Sequence, residues 1–213
     1  FILDKNITKV TILKNGSYVT QEMISFKVQN ETGRTTLGIR DIIYDPDTTS
    51  LRVLEAYTLN GKKKTKVDLK TVTERSISEG TYGISKYKKI LIPYNDVKVG
   101  SSVVYRTEKR FKKPLVPGTA FMGFHYGASF PEKNSIVEIV SAKPIRLAAF
   151  DLKKELSVEE YKKGQLYYAT IKTKGTIYKK KELANNPLLP TGLLPTVFVS
   201  TAKDWSEIIN YMA

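Results

Sequence analysis

The sequence predicts an all-β chain that folds as an antiparallel β-sandwich and is followed by a short C-terminal α-helix. Three observations support this fold class. Apolar and polar residues alternate with a period of two through most of the 213 residues, the apolar positions are rich in β-branched and aromatic side chains, and Asn, Gly and Pro separate the runs. Many short strands between turn signals are typical of two packed antiparallel sheets.

The alternating runs follow one another along the chain. In each run every second position points to the same side of the predicted strand. The positions that share a side are Val10 and Ile12; Ile24, Phe26 and Val28; Leu51, Val53, Tyr57 and Leu59; Val103, Tyr105, Thr107 and Phe111; Val137 and Ile139; and Leu166 and Tyr168. Asn15-Gly16 and Asn60-Gly61 predict hairpin turns, because both residue types tolerate a positive φ.

Composition divides the chain into three parts. Residues 1–183 form the predicted sandwich. Residues 184–203 hold three prolines and one glycine, and we expect an extended connector there, with strand-like character at 197–199, because proline fits neither a helix interior nor a central strand. Residues 204–213 predict the first helix of a truncated following domain.

The evidence for this helix is its spacing of apolar residues. Trp205, Ile208, Ile209 and Met212 recur at the spacing of one helical face, and Thr201 and Asp204 stand at the spacing of a capping box. A short amphipathic helix needs a surface to cover its apolar face. The candidate contacts to the following domain are therefore Trp205, Ile208, Ile209, Tyr211 and Met212. We expect Trp205 to anchor the helix near Leu193, Leu194 and Phe198.

Composition also excludes several classes of site within this chain. There are no cysteines and one histidine. A disulfide framework, a thiol nucleophile, a Cys-ligated zinc ion, an iron–sulfur cluster and any site with two histidines are therefore excluded here. We assign no catalytic, cofactor-binding or metal-ligating residue and expect no cofactor. No apolar run approaches the roughly 18 residues that a membrane-spanning helix requires.

Two groups of residues form the candidate binding surface. The first contains Phe121, Phe124, His125 and Tyr126, whose aromatic rings either pack in the core or form an exposed strip. The second is the lysine triplet Lys62, Lys63 and Lys64. A lone histidine among aromatic residues is more often structural than catalytic, and no second triad member accompanies His125 in a recognisable motif.

The net charge of +14 comes from 35 basic and 21 acidic residues. This excess predicts an anionic partner as one alternative: an envelope polymer, a carbohydrate or an acidic protein. Nucleic acid is a lower alternative, because 28 of the basic residues are lysines scattered in pairs and triplets, and only 7 are arginines. Solvated turns and protected edge strands account for the same lysines.

Five segments together resemble a bacterial family, the domain of unknown function 3857 family. The segments are Ile43-Tyr44-Asp45, residues 51–57 (LRVLEAY), Asn60-Gly61-Lys62, residues 90–105 (ILIPYNDVKVGSSVVY) and residues 195–211 (PTVFVSTAKDWSEIINY). They occur in the family's order and cover nearly the whole chain. Asn60 departs from the aspartate that is common at its position, which a turn tolerates.

The resemblance implies a β-sandwich domain that precedes a transglutaminase-like domain in secreted or envelope proteins of bacteria. The chain is then a non-catalytic accessory domain, and its partner is its own C-terminal enzyme domain of the Cys-His-Asp class, a protease or an acyl transferase. The catalytic cysteine is expected beyond Ala213. A secreted or periplasmic location follows from the same resemblance, with a signal peptide removed ahead of Phe1.

Overall fold

The computed structural model describes residues 1–78, 84–114, 116–178, 194–204 and 206. One α-helix, α1 (Glu31–Leu37), and one short 3-10 helix (Leu69–Thr71) accompany fourteen strands in these ranges. The strands are β1 (Ile2–Ile12), β2 (Tyr18–Lys27), β3 (Ile39–Tyr44), β4 (Thr49–Asn60), β5 (Lys63–Lys66), β6 (Thr73–Ser78), β7 (Ile84–Pro93), β8 (Ser102–Phe111), β9 (Phe121–His125), β10 (Glu132–Ser141), β11 (Arg146–Phe150), β12 (Leu156–Lys163), β13 (Leu166–Thr173) and β14 (Thr196–Ser200). The predicted all-β class is confirmed.

The strands form one large sheet and two small ones. The eight-stranded sheet has the order β12-β13-β10-β1-β2-β8-β4-β5, and the three-stranded sheets have the orders β11-β14-β9 and β3-β7-β6. Neighbouring strands are antiparallel except β1 and β10, which pair in parallel from Leu3 opposite Glu132 to Ile12 opposite Ser141. This parallel pair departs from the prediction, and it requires the long crossover from β2 through β9 that joins the two strands.

Each small sheet covers a separate hydrophobic core on the large sheet. The first core joins Phe26, Val103 and other residues of the large sheet to Ile90 and Ile92 of β7. The second core joins Ile139 and further residues of β10, β13 and β1 to β14. Strand β1 contributes to both cores, so the large sheet holds the two halves of the fold together.

Local sequence signals explain most strand boundaries. Gly16 and Gly61 have φ values of +83° and +58° in the β1–β2 and β4–β5 turns, which confirms both predicted hairpins. Strand β4 has an irregular register between Val53 and Glu55. A bulge inserts one extra residue, so the residues after it that face inward are those that would otherwise have faced outward. Ala56 is therefore buried instead of its neighbour Tyr57. The single parity predicted across Leu51 to Leu59 is therefore wrong.

Helix α1 was not predicted from the sequence. Four of its seven residues are poor helix formers, namely Thr32, Gly33, Thr35 and Thr36. One local and one tertiary feature stabilise it: the Asn30 side chain accepts a hydrogen bond from the backbone N–H of Gly33 at 2.8 Å, and Leu37 is fully buried in the first core. Capping and burial together outweigh the weak propensity.

The end of the chain corrects one boundary. Residues 196–200 lie within the expected connector, but they form β14, the central strand of the sheet β11-β14-β9. They therefore belong to the β-rich fold. Residues 184–193 of the expected connector, including Leu193, lie outside the described residues.

A buried carboxyl group lies where β9 and β10 are joined. Glu132 is buried and accepts hydrogen bonds from the Gly127 N–H at 3.0 Å and from the Ser135 hydroxyl. Burial raises the pKa of Glu132, and these two hydrogen bonds lower it by less. Its backbone also pairs with Ile177, which fixes the segment after β13 against the start of β10.

Candidate functional site

The sheet β11-β14-β9 has a distinct outer side. Its inward positions, such as Val197 and Val199, are fully buried in the second core. Since side chains alternate across a strand, the residues between them point outward. Three cross-strand rows face outward: Phe121, Ser200 and Arg146; Gly123, Phe198 and Ala148; and His125, Thr196 and Phe150. We call these nine residues the aromatic face.

Phe198 is the centre of the aromatic face. Its ring stacks on Phe121 at a centroid distance of 5.9 Å and meets the edges of His125 and Phe150 at 6.0 Å each. Gly123 lies opposite Phe198 on β9, where an added Cβ would come within 3.1 Å of the Phe198 ring. Glycine at position 123 thus leaves the space that the Phe198 ring occupies.

A groove of about 630 Å³ lies along this face. Most of its lining is apolar: Phe121, Leu147, Ala148, Phe150, Phe198 and Ala202. Phe121 and Phe150 remain 58% and 56% exposed. Cavities of a few hundred cubic ångströms with mainly apolar walls are typical of binding sites, and exposed apolar patches of this kind mark interaction surfaces.

The chain leaves β14 directly into the rim of this groove. Thr201 is fixed to the segment before β9 by two hydrogen bonds with Ala120, of 3.1 Å from its own N–H and 2.9 Å to its hydroxyl oxygen. Arg146 Nε donates to the Ala202 carbonyl at 3.0 Å. Lys203 and Asp204 then line the groove. The backbone up to Asp204 is therefore held against the aromatic face.

The four predicted aromatic-strip residues separate into two sides of the fold. Phe121 and His125 point outward on the aromatic face, and the His125 ring lies 3.0 Å from the Thr196 hydroxyl oxygen. Phe124 and Tyr126 point inward and pack in the second core. The four residues therefore do not share one surface, because neighbouring residues of a strand face opposite sides. Sequence reasoning placed Phe198 near the terminal helix but missed Phe150 as a surface residue.

The lysine triplet is not part of this site. Lys62 to Lys64 lie at the β4–β5 hairpin, on an edge of the large sheet. Lys64 pairs with Glu55 and lies 3.8 Å from the centre of the Tyr57 ring, and its hydrogen bond is the main cause of the lowered pKa of Glu55. Lys63 is 3.5 Å from Asp96. Both charges have acidic neighbours, and the structure places them on a different sheet from His125.

The outer side of the large sheet differs in composition from the aromatic face. Across its middle, Lys9 pairs with Glu138 at 3.7 Å, and Arg110 and Arg52 approach Glu108 at 3.0 and 3.5 Å. Hydrogen bonds from Gln21 and then Arg110 lower the pKa of Glu108. These charges pair with one another on the outer side of the sheet, where Glu108 itself is buried beneath its partners. The aromatic face has a different composition, although it is also an outer sheet surface.

The predicted contacts to a following domain lie outside the described residues. They are Trp205, Ile208, Ile209, Tyr211 and Met212. Their expected role stays a prediction. Across the described ranges, no helix has the length and apolar character that crossing a membrane requires.

The fold and the aromatic face define a β-rich domain with an exposed, mainly apolar surface. A family model described as "Domain of Unknown Function with solved-structure structure (DUF3857)" matches residues 14–181. The chain therefore belongs to the DUF3857 family, as its sequence motifs predicted. No curated protein matches the sequence.

The same fold occurs in a longer protein of solved structure from Parabacteroides distasonis. A protein from Parabacteroides distasonis named "putative protease" is 16% identical with a TM-score of 0.78, over 96% of this chain and 41% of that one. An M1 zinc metallopeptidase from Deinococcus radiodurans is 12% identical with a TM-score of 0.45, over 92% of this chain and 42% of that one. The chain thus spans about two fifths of the length of these two proteins.

Proposed function

We propose that this chain is a non-catalytic N-terminal accessory domain of a bacterial transglutaminase-like protein. The enzyme domain belongs to the Cys-His-Asp class and is a protease or an acyl transferase. The accessory domain packs against it or presents substrate to it. The protein acts outside the cytoplasm, in the periplasm or cell envelope or after secretion, as the resemblance to the family implies.

The aromatic face is the observation that carries this proposal. Its central ring, Phe198, belongs to the strand that leads into the C-terminal segment. A surface of this kind is stabilised when another apolar surface covers it, at roughly 25 cal/mol per Å² of apolar area removed from water. Further support comes from the Parabacteroides distasonis protein, whose chain is much longer than the part that shares this fold.

The first test concerns catalysis by this chain alone. We expect chain 1–213 to show no peptide hydrolysis and no amide transfer, because the nucleophile of the proposed class is a cysteine and this chain has none. The assay measures turnover of fluorogenic peptides and of amine incorporation. Turnover by chain 1–213 that disappears in a His125→Ala variant would contradict the proposal.

The second test concerns the interface in the longer protein. Phe121→Asp and Phe198→Asp place a charge on the aromatic face without touching the buried side of β9 or β14. We expect these variants to separate the thermal unfolding of the two domains into two transitions and to lower enzyme activity. The matched control is Tyr161→Asp, because Tyr161 is an exposed aromatic residue that stacks on Tyr168 on the large sheet. Equal effects of the control and the face variants would refute the assigned interface.

A further inference from the structure

Strand β11 forms one edge of the sheet β11-β14-β9 and lacks the features that usually prevent an edge strand from pairing. The edge strands of the large sheet are charged: β5 has three lysines among four residues, and β12 has four charged residues among eight. Strand β11 reads Arg-Leu-Ala-Ala-Phe, with no proline, no register shift and one charge, at its first position. The opposite edge, β9, lies beside the large sheet, where the groove measures only about 220 Å³. The accessible edge of this small sheet is therefore β11.

Two hydrogen bonds show which backbone groups around β14 point towards β9. The Tyr126 N–H donates to the Pro195 carbonyl at 3.0 Å, and the Thr201 N–H donates to the Ala120 carbonyl at 3.1 Å. The backbone groups of successive residues in a strand alternate between its two neighbours. The odd-numbered residues of β14 therefore bond to β9, and the even-numbered residues bond to β11.

The pairing with β14 leaves alternate residues of β11 pointing away from the sheet. The residues opposite the even-numbered positions of β14 are Arg146, Ala148 and Phe150. Leu147 and Ala149 consequently direct their N–H and C=O groups outward in the plane of the sheet. Among the described residues, no further backbone hydrogen bond engages these groups. The edge therefore offers a donor and an acceptor at each of two positions to an additional strand.

The side chains beside this edge determine which strand fits. Side chains on the outer side of an added strand continue the cross-strand rows of the aromatic face, about 5 Å further out. In the row of Gly123, Phe198 and Ala148, the alanine leaves room for a large apolar side chain that extends over it to the Phe198 ring. Phe150 is 56% exposed, and Leu152, just beyond it, is 86% exposed. The edge is therefore apolar from Ala148 to its C-terminal end.

Charge favours an acidic peptide over a second copy of this chain. The net charge of +14 makes two copies repel one another. Along the described part of the groove, Arg146 and Lys203 are cations and Asp204 is the one carboxylate. Arg146 Nε donates to the Ala202 carbonyl at 3.0 Å, and a guanidinium carries further N–H donors that bind carboxylates. A peptide with a carboxylate opposite Arg146 complements this end of the edge.

We propose that the β11 edge binds an extended polypeptide by β-strand addition. The backbone of the peptide pairs with Leu147 and Ala149. A large apolar side chain of the peptide lies opposite Ala148, and a carboxylate two positions away lies opposite Arg146. This inference deepens the proposed function by assigning polypeptide as the class of substrate that the domain presents, and it rests on that function for this role alone.

Fluorescence anisotropy of labelled peptides with chain 1–213 measures the binding. The probes are threonine-rich peptides of about eight residues that carry glutamate and phenylalanine two positions apart, in both orders, so that parallel and antiparallel pairing are covered. We expect saturable binding of one of the two probes. Ala149→Pro removes an outward N–H without breaking a bond to β14, and it should weaken binding at least about fivefold.

The matched control is Glu160→Pro on the edge strand β12. The hydrogen bond from the Lys174 N–H to the Glu155 carbonyl shows that odd-numbered residues of β12 bond to β13, so the Glu160 N–H also points away from the sheet. Glu160→Pro should leave the affinity for the probe unchanged. Ala148→Glu is a second variant of the site, which places a negative charge where the peptide side chains lie and should abolish binding. Since Ala148 is exposed, circular dichroism should keep its β-sheet signal.

Arg146→Gln tests the ion pair separately from the backbone pairing. It should weaken binding of the glutamate probe about three- to tenfold. It should leave unchanged the affinity for a probe with glutamine in place of glutamate. A purely structural effect of the substitution would weaken both probes equally, and that result would contradict the assigned ion pair.

Three results would overturn the inference. The first is the absence of saturable binding by both probes at up to about 1 mM peptide. The second is equal weakening by Ala149→Pro and Glu160→Pro. The third is self-association of chain 1–213 that Ala149→Pro removes, because a second copy would then occupy the edge.

The same variants separate this inference from the proposed function. If neither probe binds while Phe198→Asp still separates the unfolding of the two domains in the longer protein, the proposed function stands and this inference fails. If a probe binds as expected while Phe198→Asp acts no differently from Tyr161→Asp, this inference stands and the assigned domain interface fails.

Discussion

The two Asn-Gly turns have the same sequence but different surroundings, so the effect of replacing glycine by alanine can be compared between them. Gly16 and Gly61 both have a positive φ, so alanine at either position is forced into the left-handed region. An added Cβ at Gly61 would meet no atom within 4 Å. At Gly16 it would lie 2.5 Å from the Thr119 backbone nitrogen and 2.7 Å from the Gly118 carbonyl carbon. These are backbone atoms, so no side-chain rotation relieves the contact.

The expected costs follow from these geometries. The left-handed conformation costs an alanine about 1–2 kcal/mol, and the loss of chain entropy in the unfolded state returns about 0.4–1 kcal/mol. Gly61→Ala should therefore destabilise the protein by about 1 kcal/mol. Gly16→Ala adds an overpacking cost of about 1–3 kcal/mol, for a total of about 2–4 kcal/mol. The hydrogen bond from the Gly118 N–H to the Asn15 carbonyl, 3.1 Å long, is weakened as well.

Urea unfolding followed by circular dichroism measures both variants by linear extrapolation. The reasoning requires that Gly16→Ala lowers the free energy of unfolding by at least about 1 kcal/mol more than Gly61→Ala does. If the two variants agree within about 0.5 kcal/mol, the close approach of the segment around Gly118 to the β1–β2 turn is refuted. Equal slopes in urea are the check that the unfolded states are comparable.

Two further predictions use buried and exposed charges. Burial raises the pKa of Glu132 above its ordinary value. The protonated carboxyl group therefore supports stability that is complete below the unfolded-state pKa and is lost as the pH rises through the folded-state pKa. The loss is about 1.4 kcal/mol for each unit by which the pKa is raised. Glu132→Gln should remove this fall of stability with rising pH in urea unfolding, whereas Glu138→Gln, at an exposed position of the same strand, should not. A pH profile of Glu132→Gln parallel to that of the wild type would contradict this prediction. Lys64→Ala should lower the free energy of unfolding by no more than about 1 kcal/mol, because the ion pair between Lys64 and Glu55 is partly exposed. A larger loss would show that the contact between Lys64 and Tyr57 stabilises the fold more than surface pairs usually do.

Local patterns in the sequence were sufficient to predict strands and both Asn-Gly turns. Alternation in β8 separated Val103 and Tyr105 from the charged residues Glu108 and Arg110, and the structure buries both Val103 and Tyr105. The bulge in β4 could not be read in this way. It has no fixed local signature, since pairing with β8 decides where the extra residue is accommodated.

The aromatic face was only partly predictable. The motif around His125 showed aromatic residues on both sides of a strand, so alternation alone did not indicate which side faced the core. Phe198 lies between Val197 and Val199, and this pattern indicated a strand. The outward direction of the Phe198 side chain follows only from the burial of Val197 and Val199 in the second core.

The sequence by itself determined the all-β class, both Asn-Gly hairpins and membership of a recognisable family. These depend on residues close together in the chain or on ordered motifs. Only the tertiary structure decided that β1 pairs in parallel with β10 and that β14 joins β9 and β11. These contacts join distant segments, and their stability depends on the apolar area that the whole assembly removes from water. The same long-range packing leaves Phe121, Phe150 and Phe198 on one exposed face.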